Sequence, residues 1–415
     1  MLRLIYYELR KNYWKRYILL TTLLFLVLNV LMIYRPYVSG DGLMEYFMPH
    51  TQEFETEWTF YEEMHQKLDG KITNERAQYV VDEYSRLREL VANRAYSREY
   101  QPDTYTGYIW TDYMMITKYI YEPMLYAVEY EENIKQVLDK ANANIKFYTM
   151  HELPYELAKN EYITKQYKHR AIYEFYDSKT WEKLFTYRLS DAFLLLLVLL
   201  GVVPIYVQER ELDMDQLILS SKNGKKNMSI AKLLSTILYI AILVSIFAIT
   251  NITTIHILYG LEGKDMPLYA LQSFQYTPLN ISVLQFYCLL VFFKFTALVM
   301  VGWWIAFFST LFQQVIYPYI LSLLFIIVGL FSSGYFASVS FGKTIVALAS
   351  PFTLLKVDGL YQELFGINIA NHFMLRPIVS LAVQLFTALL LLIIIFRCST
   401  RSMKYIKWSV RKVGE

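Results

Sequence analysis

The sequence predicts an all-α polytopic membrane protein, with six transmembrane helices and a large helical extracellular domain between the first and the second. A composition of 55% hydrophobic and 19% charged residues is too apolar for a soluble chain of 415 residues and too charged for a chain embedded throughout. Several uncharged segments approach the roughly 20 residues that cross the hydrocarbon layer. The long polar segment after the first of them has helical spacing and no alternating strand pattern.

The predicted elements follow these segments along the chain. Leu2, Ile5 and Leu9 recur at helical spacing among charged residues, which predicts an amphipathic interfacial helix at 1–16 on the cytoplasmic surface. The six spans are predicted at 17–34, 191–207, 233–255, 284–308, 315–332 and 377–396. The other predicted parts are the extracellular domain at 35–190, a cytoplasmic loop at 208–232, extracellular re-entrant helices at 335–366 and a basic cytoplasmic tail at 397–415.

Basic residues give the predicted orientation. The head before the first span holds five Lys and Arg residues, the loop at 208–232 holds five and the tail holds six. Because such residues concentrate in cytoplasmic segments, we expect a plasma-membrane protein with both termini inside and residues 35–190 outside. An alternative for the first span is a cleaved signal peptide ending near Val38 and Gly40, but the long basic head favours a retained helix.

The segment between the first two predicted spans has the composition of an acidic, tyrosine-rich helical domain. Residues 35–191 hold 27 acidic and 19 basic residues, and 21 tyrosines lie between Tyr37 and Tyr187. The only cysteines, Cys288 and Cys398, lie elsewhere, so this domain contains no disulfide. The tyrosines suit a core and an interface near the membrane. Alternatively, some line an acidic aromatic surface that attracts cationic or amphipathic molecules.

Motifs of catalysis are incomplete in this chain. Gly342-Lys343-Thr344 resembles the end of a phosphate-binding loop, but Ala337 stands where its first glycine is required. His151-Glu152 begins a zinc-protease pattern whose second histidine is replaced by Tyr155. Thr149 and Glu152 instead fit a capping box ahead of another helix. We therefore expect no enzyme, no nucleotide site and no metal site in this chain.

The loop at 208–232 contains an amphipathic stripe. Met214, Leu217, Ile218 and Ser221 follow the i, i+3, i+4, i+7 rule. The opposite face carries acidic and amide side chains, and Asn223-Gly224 ends the predicted helix. A helix that docks in a groove of another protein needs an apolar anchor and charges that set its register, so this helix is predicted to contact a separate cytoplasmic protein.

The order of these elements resembles the permease subunits of type-2 ATP-binding-cassette exporters. Glu209 and Glu211, then Leu217 to Ser221, then Lys225-Lys226 and Ala231-Lys232 follow the order of that family's coupling loop. The family's glycine is replaced within 213–215, and its proline is missing after Ser221. The resemblance covers the head and residues 190–415, and it does not cover the acidic domain.

The resemblance implies partners and a function. It implies cytoplasmic ATPase subunits that bind ATP and Mg, a second permease subunit in a homodimer or heterodimer, contact with membrane lipid, and no contact with nucleic acid. The expected activity is export of an amphipathic peptide, antibiotic or lipid. One alternative is a polytopic receptor whose extracellular domain binds a ligand without transport. Another is a membrane-embedded enzyme, which requires a cluster of catalytic residues that the sequence does not reveal.

Specific residues are expected to carry this function. Lys294 and Asn251 lie inside predicted spans, where polar groups are costly, and are candidates for the translocation path. Alternatively, Lys294 reaches the membrane surface with its long stem, and Asn251 hydrogen-bonds between helices. The residues expected to couple the chain to the ATPase are Glu209, Glu211, Leu212, Asp215, Leu217, Ile218, Lys225 and Lys226.

Overall fold

A computed structural model describes residues 1–39, 53–93, 104–212, 214, 224–335 and 347–400. Most of these residues are helical. The helices are α1 (Leu2–Asn12), α2 (Arg16–Ser39), α3 (Glu53–Leu68), α4 (Asn74–Asn93), α5 (Ile109–Met115), α6 (Glu122–Met150), α7 (Pro154–Tyr167), α8 (Lys179–Thr186), α9 (Leu189–Val202), α10 (Pro204–Glu211), α11 (Gly224–Tyr259), α12 (Val283–Leu311), α13 (Ile316–Tyr335), α14 (Asp358–Tyr361) and α15 (Arg376–Thr400). The strands are β1 (Gly70–Lys71), β2 (Glu174–Phe175), β3 (Gly366–Ile369) and β4 (His372–Leu375), in two antiparallel pairs.

Five helices in the described part of the chain are long and apolar enough to cross a membrane. Four of them are Arg16–Arg35, Lys226–Tyr259, Val283–Leu311 and Arg376–Ser399. The fifth, Lys179–Glu211, takes in the consecutive helices α8, α9 and α10. The predicted span at 315–332 corresponds to α13, whose apolar part Ile316–Ser332 is shorter. The helices are thus consistent with a membrane protein. One boundary differs clearly from the sequence prediction, because α11 begins at Gly224 although its charged first turns had been assigned to a loop.

The long helices form a bundle with α12 at its centre. α12 packs against α9, α10, α11, α13 and α15, while α11 packs against α1, α2, α9 and α15. Gly201 permits close contact between α9 and α11, because a Cβ atom there would lie 2.7 Å from the ring of Tyr239. Tyr239 donates a hydrogen bond of 2.9 Å to the Leu197 carbonyl at the same contact. Large apolar side chains such as Leu24, Leu324 and Leu389 are exposed on the outside of the bundle, as a lipid-facing surface requires.

The bundle has two distinguishable ends. We call the end where α10 ends and α11 begins the coupling end, and the opposite end the domain end. At the coupling end, α1 packs on α11, and Tyr13 stacks on Tyr239 with ring centroids 4.1 Å apart. The predicted apolar stripe of α1 is only partly buried, because Ile5 is buried whereas Leu2 is exposed, and Glu8 lies on the buried face.

Helices α3 to α7 form the helical domain, described for residues 53–93 and 104–167, and α8 packs against α11 and α12 of the bundle. One apolar cluster joins α3, α4 and the π-helical turn Ile116–Tyr121, with Leu87 fully buried. A second joins α6 and α7 around Tyr130 and Tyr167. The predicted capping box is wrong, because Thr149 lies inside α6 and its hydroxyl donates to the Ile145 carbonyl.

The segment after α13 contains short elements packed on the bundle. The predicted re-entrant region 335–366 includes 336–346, which lie outside the described residues. A 3₁₀ helix at Pro351–Lys356 follows, and its Phe352 is buried beside α13. The hairpin of β3 and β4 was not predicted, because Ala370 and Asn371 take positive φ angles of 50° and 66° at its turn without the glycine that marks such turns in a sequence.

Candidate functional site

A buried charge cluster lies at the coupling end, and three helices contribute to it. Glu209 at the end of α10 accepts a hydrogen bond from Lys11 of α1 at 2.5 Å and another from Lys232 of α11. Lys232 is 2% exposed and also donates to the Ile205 carbonyl at 2.8 Å. Buried charges are tolerated where they are paired and hydrogen-bonded, so this cluster ties α1, α10 and α11 together. We call Glu8, Lys11, Glu209 and Lys232 the inner cluster.

Glu8 supplies the second carboxylate of the inner cluster. Its Oε2 accepts a hydrogen bond of 2.8 Å from the amide of Asn12, one turn later in α1. Burial raises the pKa of the Glu8 carboxyl, while the nearby charges of Lys232 and Lys11 act in the opposite direction. Two carboxylates and two ammonium groups therefore share one buried site in which their charges compensate.

α10 is also fastened to the end of α12. Arg210 donates to the Thr310 carbonyl at 2.6 Å and to the Phe312 carbonyl at 3.2 Å. Ser309 donates to the Val203 carbonyl at 2.6 Å. These bonds use carbonyl groups at the end of a helix, where no partner within the helix is available. The residues that precede 213–223 are thus held by three other helices.

The structure places the predicted coupling residues in different environments. Glu209 is buried and contacts lysines of its own chain, whereas Glu211, Leu212 and Lys226 are exposed. Asp215, Leu217 and Ile218 lie outside the described residues, and so does the side chain of Lys225. The exposed residues flank the predicted coupling helix on both sides, so a partner seated on that helix would act directly on α10 and α11.

A second polar group lies between the bundle helices toward the domain end. Asn29 of α2 donates to Asn251 of α11 at 2.7 Å, and Asn251 donates to Ser190 of α9 at 3.2 Å. The hydroxyl of Tyr187 donates to the Asn29 side-chain oxygen at 3.1 Å. Hydrogen bonds of this kind hold apolar helices together where water is absent. Asn251 therefore joins three helices.

Lys294 forms an ion pair inside the bundle. Its Nζ lies 2.5 Å from Asp191 Oδ1, and the two side chains are 20% and 7% exposed. Lys294 and Asn251 line one cavity of about 30 Å³, so the two predicted path residues are brought together. That volume accommodates about two water molecules. In this conformation it has no room for an amphipathic cargo.

Tyrosines attach the helical domain to the segment that connects α11 and α12. Tyr126, Tyr130 and Tyr167 donate hydrogen bonds to carbonyls of Tyr269, Gln275 and Tyr276 at 2.7, 3.2 and 2.6 Å. Burial raises the pKa of Tyr167 to about 12, so its hydroxyl stays a donor at neutral pH. These three tyrosines therefore hold the helical domain to the segment that connects α11 and α12.

Arg170 is the centre of this attachment. It is 3% exposed and donates to Asn280 Oδ1 at 2.7 Å and to the Thr277 carbonyl at 2.9 Å. Its guanidinium also lies between the rings of Tyr167 and Tyr269, 4.3 and 4.8 Å from their centroids. A planar guanidinium with five donors suits several carbonyls at once, which a lysine would not.

Sequence reasoning missed the partners of the predicted site residues. Asp191 and Asn29 were not singled out, Lys11 was used to assign orientation, and Lys232 was used for orientation and for the order of the coupling loop. A signal existed for Asn29, because the first and third predicted spans contain one asparagine each, and polar residues in spans tend to pair across helices. Asp191 gave a weaker signal, because a carboxylate in the first turn of a helix is also ordinary capping chemistry.

Comparison of the chain with protein-family models, with curated proteins and with solved structures gave no match.

Proposed function

We propose that this chain is the permease subunit of an ATP-binding-cassette exporter. In this proposal it pairs with a second permease subunit, identical or related, and with cytoplasmic ATPase subunits that bind ATP and Mg. The single observation that carries the proposal is the inner cluster, which ends α10 immediately before the predicted coupling helix. A loop that transmits no force has no need for ion pairs that join its preceding helix to two other helices.

The inner cluster would transmit motion from a partner to the bundle. A partner bound at 212–226 would displace α10 and α11 together, because Glu209 and Lys232 join them. Lys11 would carry α1 along with both helices. Since packed helices shift as rigid bodies between discrete arrangements, a displacement at the coupling end would reorient the bundle as a whole.

The polar residues toward the domain end would hold the outward-facing path closed. Asn251 and Lys294 join helices that must separate or rotate for an outward-facing path to open. Because the cavity beside them holds only about two waters, the path for cargo would form between two subunits or after rearrangement. An amphipathic peptide, antibiotic or lipid is the cargo that we propose.

The test is the effect of the predicted coupling helix on ATP turnover. The tagged full-length chain is purified from native membranes together with bound ATPase, and Leu217→Ala combined with Ile218→Ala is compared with the unchanged chain. Anchor residues at an interface cost about 2 kcal/mol or more when truncated, so we expect ATPase association to weaken by roughly 30-fold or more. Leu153→Ala, an exposed leucine of the helical domain, is the matched control and should change nothing.

The receptor hypothesis makes the opposite prediction. A receptor would retain ligand binding but bring down no ATPase, and its variants at 217 and 218 would leave ATP turnover of any complex unchanged. That result would overturn the proposed export function. Labelling of a Leu217→Cys variant, above that of the unchanged chain, by a membrane-impermeant maleimide added outside intact cells would overturn it as well, because the coupling helix would then face away from ATP.

A further inference from the structure

A cavity of about 380 Å³ lies where the helical domain meets the end of α11. It belongs to neither the inner cluster nor the group around Asn251. Its volume is within the range of sites that bind small organic molecules. The residues that line it are Tyr61, Glu62, His65, Gln66, Asp69, Tyr176, Asp177, Tyr259, Gly260 and Glu262.

Three parts of the chain build this pocket, which we call the acidic pocket. α3 supplies His65 and its neighbours, the segment after β2 supplies Tyr176, and the end of α11 supplies Tyr259. Pairing of Gly70 with Phe175 holds the first two parts side by side. Gly263, with a φ of +64°, lies so close to Tyr176 that a Cβ atom would be 2.6 Å from its ring. The pocket wall is therefore a packed structure.

His65 presents an unused polar atom in this pocket. It is 7% exposed, its ring stacks parallel to Phe175 at 5.7 Å, and its Nδ1 lies 2.8 Å from Asp69 Oδ1. Among the described residues, nothing hydrogen-bonds to its Nε2. In the tautomer whose Nδ1–H donates to Asp69, Nε2 carries no proton and is an acceptor. A buried acceptor without a partner is costly, which indicates that a ligand donor completes it.

The other lining residues are mainly carboxylates and tyrosines. Four carboxylates line the pocket, and none of its described lining residues is a lysine or an arginine. Burial raises the pKa of Asp69, the hydrogen bond and charge of His65 act in the opposite direction, and the charges of Asp177 and Glu262 raise it. Carboxylates that repel one another are relieved by a bound cation, and tyrosine faces attract cations as well.

The geometry favours an organic cation over a metal ion. Within the described ranges, no three His, Cys, Asp or Glu side chains are placed to hold a metal. A cavity of this size instead accepts a group with several N–H donors and an apolar stem. We propose that the acidic pocket binds an alkylammonium or guanidinium group, with His65 Nε2 and the pocket carboxylates accepting its N–H bonds. This binding requires no ATPase and no transport, so it stands apart from the proposed function.

Binding is tested by calorimetry on the purified full-length chain in detergent. The probe is N-acetyl-argininamide, and its matched control is N-acetyl-citrullinamide, which has nearly the same shape and no charge. We expect measurable, salt-sensitive binding of the first and none of the second. Equal binding of the two, or no binding of the cationic probe, would overturn the proposal.

Variants locate the binding in the pocket. Glu62→Gln combined with Glu262→Gln neutralises two exposed lining carboxylates. We expect the affinity to fall about tenfold, because two partly solvated ion pairs with the probe are lost. Glu63→Gln is the control, because Glu63 is exposed beside Glu62 but does not line the pocket. Unchanged affinity in the double variant would place the binding elsewhere and refute the assignment.

His65→Phe removes the Nε2 acceptor and keeps an aromatic ring against Phe175, so its thermal unfolding is measured alongside its affinity. Loss of binding with an unchanged Tm supports the role of His65, and full retention of binding contradicts it.

A glycine-flanked single-arginine peptide distinguishes the source of the cation. Tighter binding than the amide indicates a peptide side chain, and equal binding indicates a free small cation.

Discussion

Individual charged side chains decide the stability of the coupling end. Lys232 lies in a buried site where its ammonium group contacts Glu209 and a backbone carbonyl. Replacement of one member of a buried pair leaves the other charge without compensation, which costs about 3–5 kcal/mol. We therefore expect Lys232→Met to lower the Tm of the detergent-purified chain by several degrees or to prevent its folding. Thermal unfolding followed by tryptophan fluorescence measures the change.

The controls for this residue are Lys226→Met and a double variant. Lys226 lies six positions earlier in the same helix and is exposed, so its replacement should change the Tm little. Lys232→Met combined with Glu209→Gln should recover part of the loss, because no uncompensated charge remains. A Tm that is equal in Lys232→Met and Lys226→Met would mean that the inner cluster is not a buried ion pair.

At this scale, the sequence allowed prediction of which residues are unusual but not of their partners. Lys294 and Asn251 stood out because polar groups in spans are rare, and both lie on one internal cavity. Asp191 pairs with Lys294, and Asn29 pairs with Asn251. Both partners come from helices distant in the sequence, so no local spacing could predict these contacts. Glu209 was associated with a partner protein because it matches the order of the resembling family's coupling loop, whereas the structure buries it against Lys11 and Lys232 of its own chain.

Contacts between elements depend on small residues at a few positions. Gly329 of α13 faces the ring of Phe352 so closely that a Cβ atom would lie 2.0 Å from it. Phe352 is 1% exposed, and its ring centroid lies 5.4 Å from that of Phe325. We expect Gly329→Ala to destabilise the chain by about 1–3 kcal/mol, as overpacking of a filled core does, and to lower its Tm correspondingly.

Gly359→Ala is the matched control for this contact. Gly359 lies in α14, and a Cβ atom there meets no described atom within 4 Å. Alanine also favours a helix over glycine, so this variant should unfold at the same temperature or slightly higher. If Gly329→Ala is as stable as Gly359→Ala, the contact between α13 and the 3₁₀ helix is looser than the structure indicates.

Elements with a strong period were predicted well and irregular ones were not. The span predicted at 284–308 became α12, Val283–Leu311, because an apolar segment of that length, with Lys294 as its one charged residue, has few alternatives. The hairpin of β3 and β4 escaped prediction because Asn371 and Ala370 take the left-handed conformation without glycine. The early start of α11 was missed because two lysines after a glycine resemble a loop, and cations in the first turn of a helix are opposed by its dipole.

At the scale of the whole molecule, the helical domain is fastened to the bundle through polar contacts that composition could not reveal. The tyrosine content predicted core residues and an interface near the membrane, whereas the hydroxyls of Tyr126 and Tyr167 donate to carbonyls of the segment after α11. The acidic pocket lies at this same junction through Tyr259 and Glu262. A ligand there would contact both the helical domain and the end of a bundle helix.

Arg170 should therefore control how firmly the helical domain is held. In Arg170→Met, the carbonyls of Thr277 and Leu279 and the side chain of Asn280 lose their donor, and each charge-assisted hydrogen bond is worth about 1.5–3 kcal/mol. Methionine retains apolar contact with the rings of Tyr167 and Tyr269, so we expect loosening of the junction rather than unfolding of either part. Hydrogen–deuterium exchange measured by mass spectrometry should rise in 260–282 and in α7 but stay unchanged in α12.

Lys168→Met, an exposed neighbour, should leave all three regions as they were. Uniform exchange in Arg170→Met would show that the tyrosines alone hold the domain, and a rise in α12 would show that bundle and domain unfold as one unit.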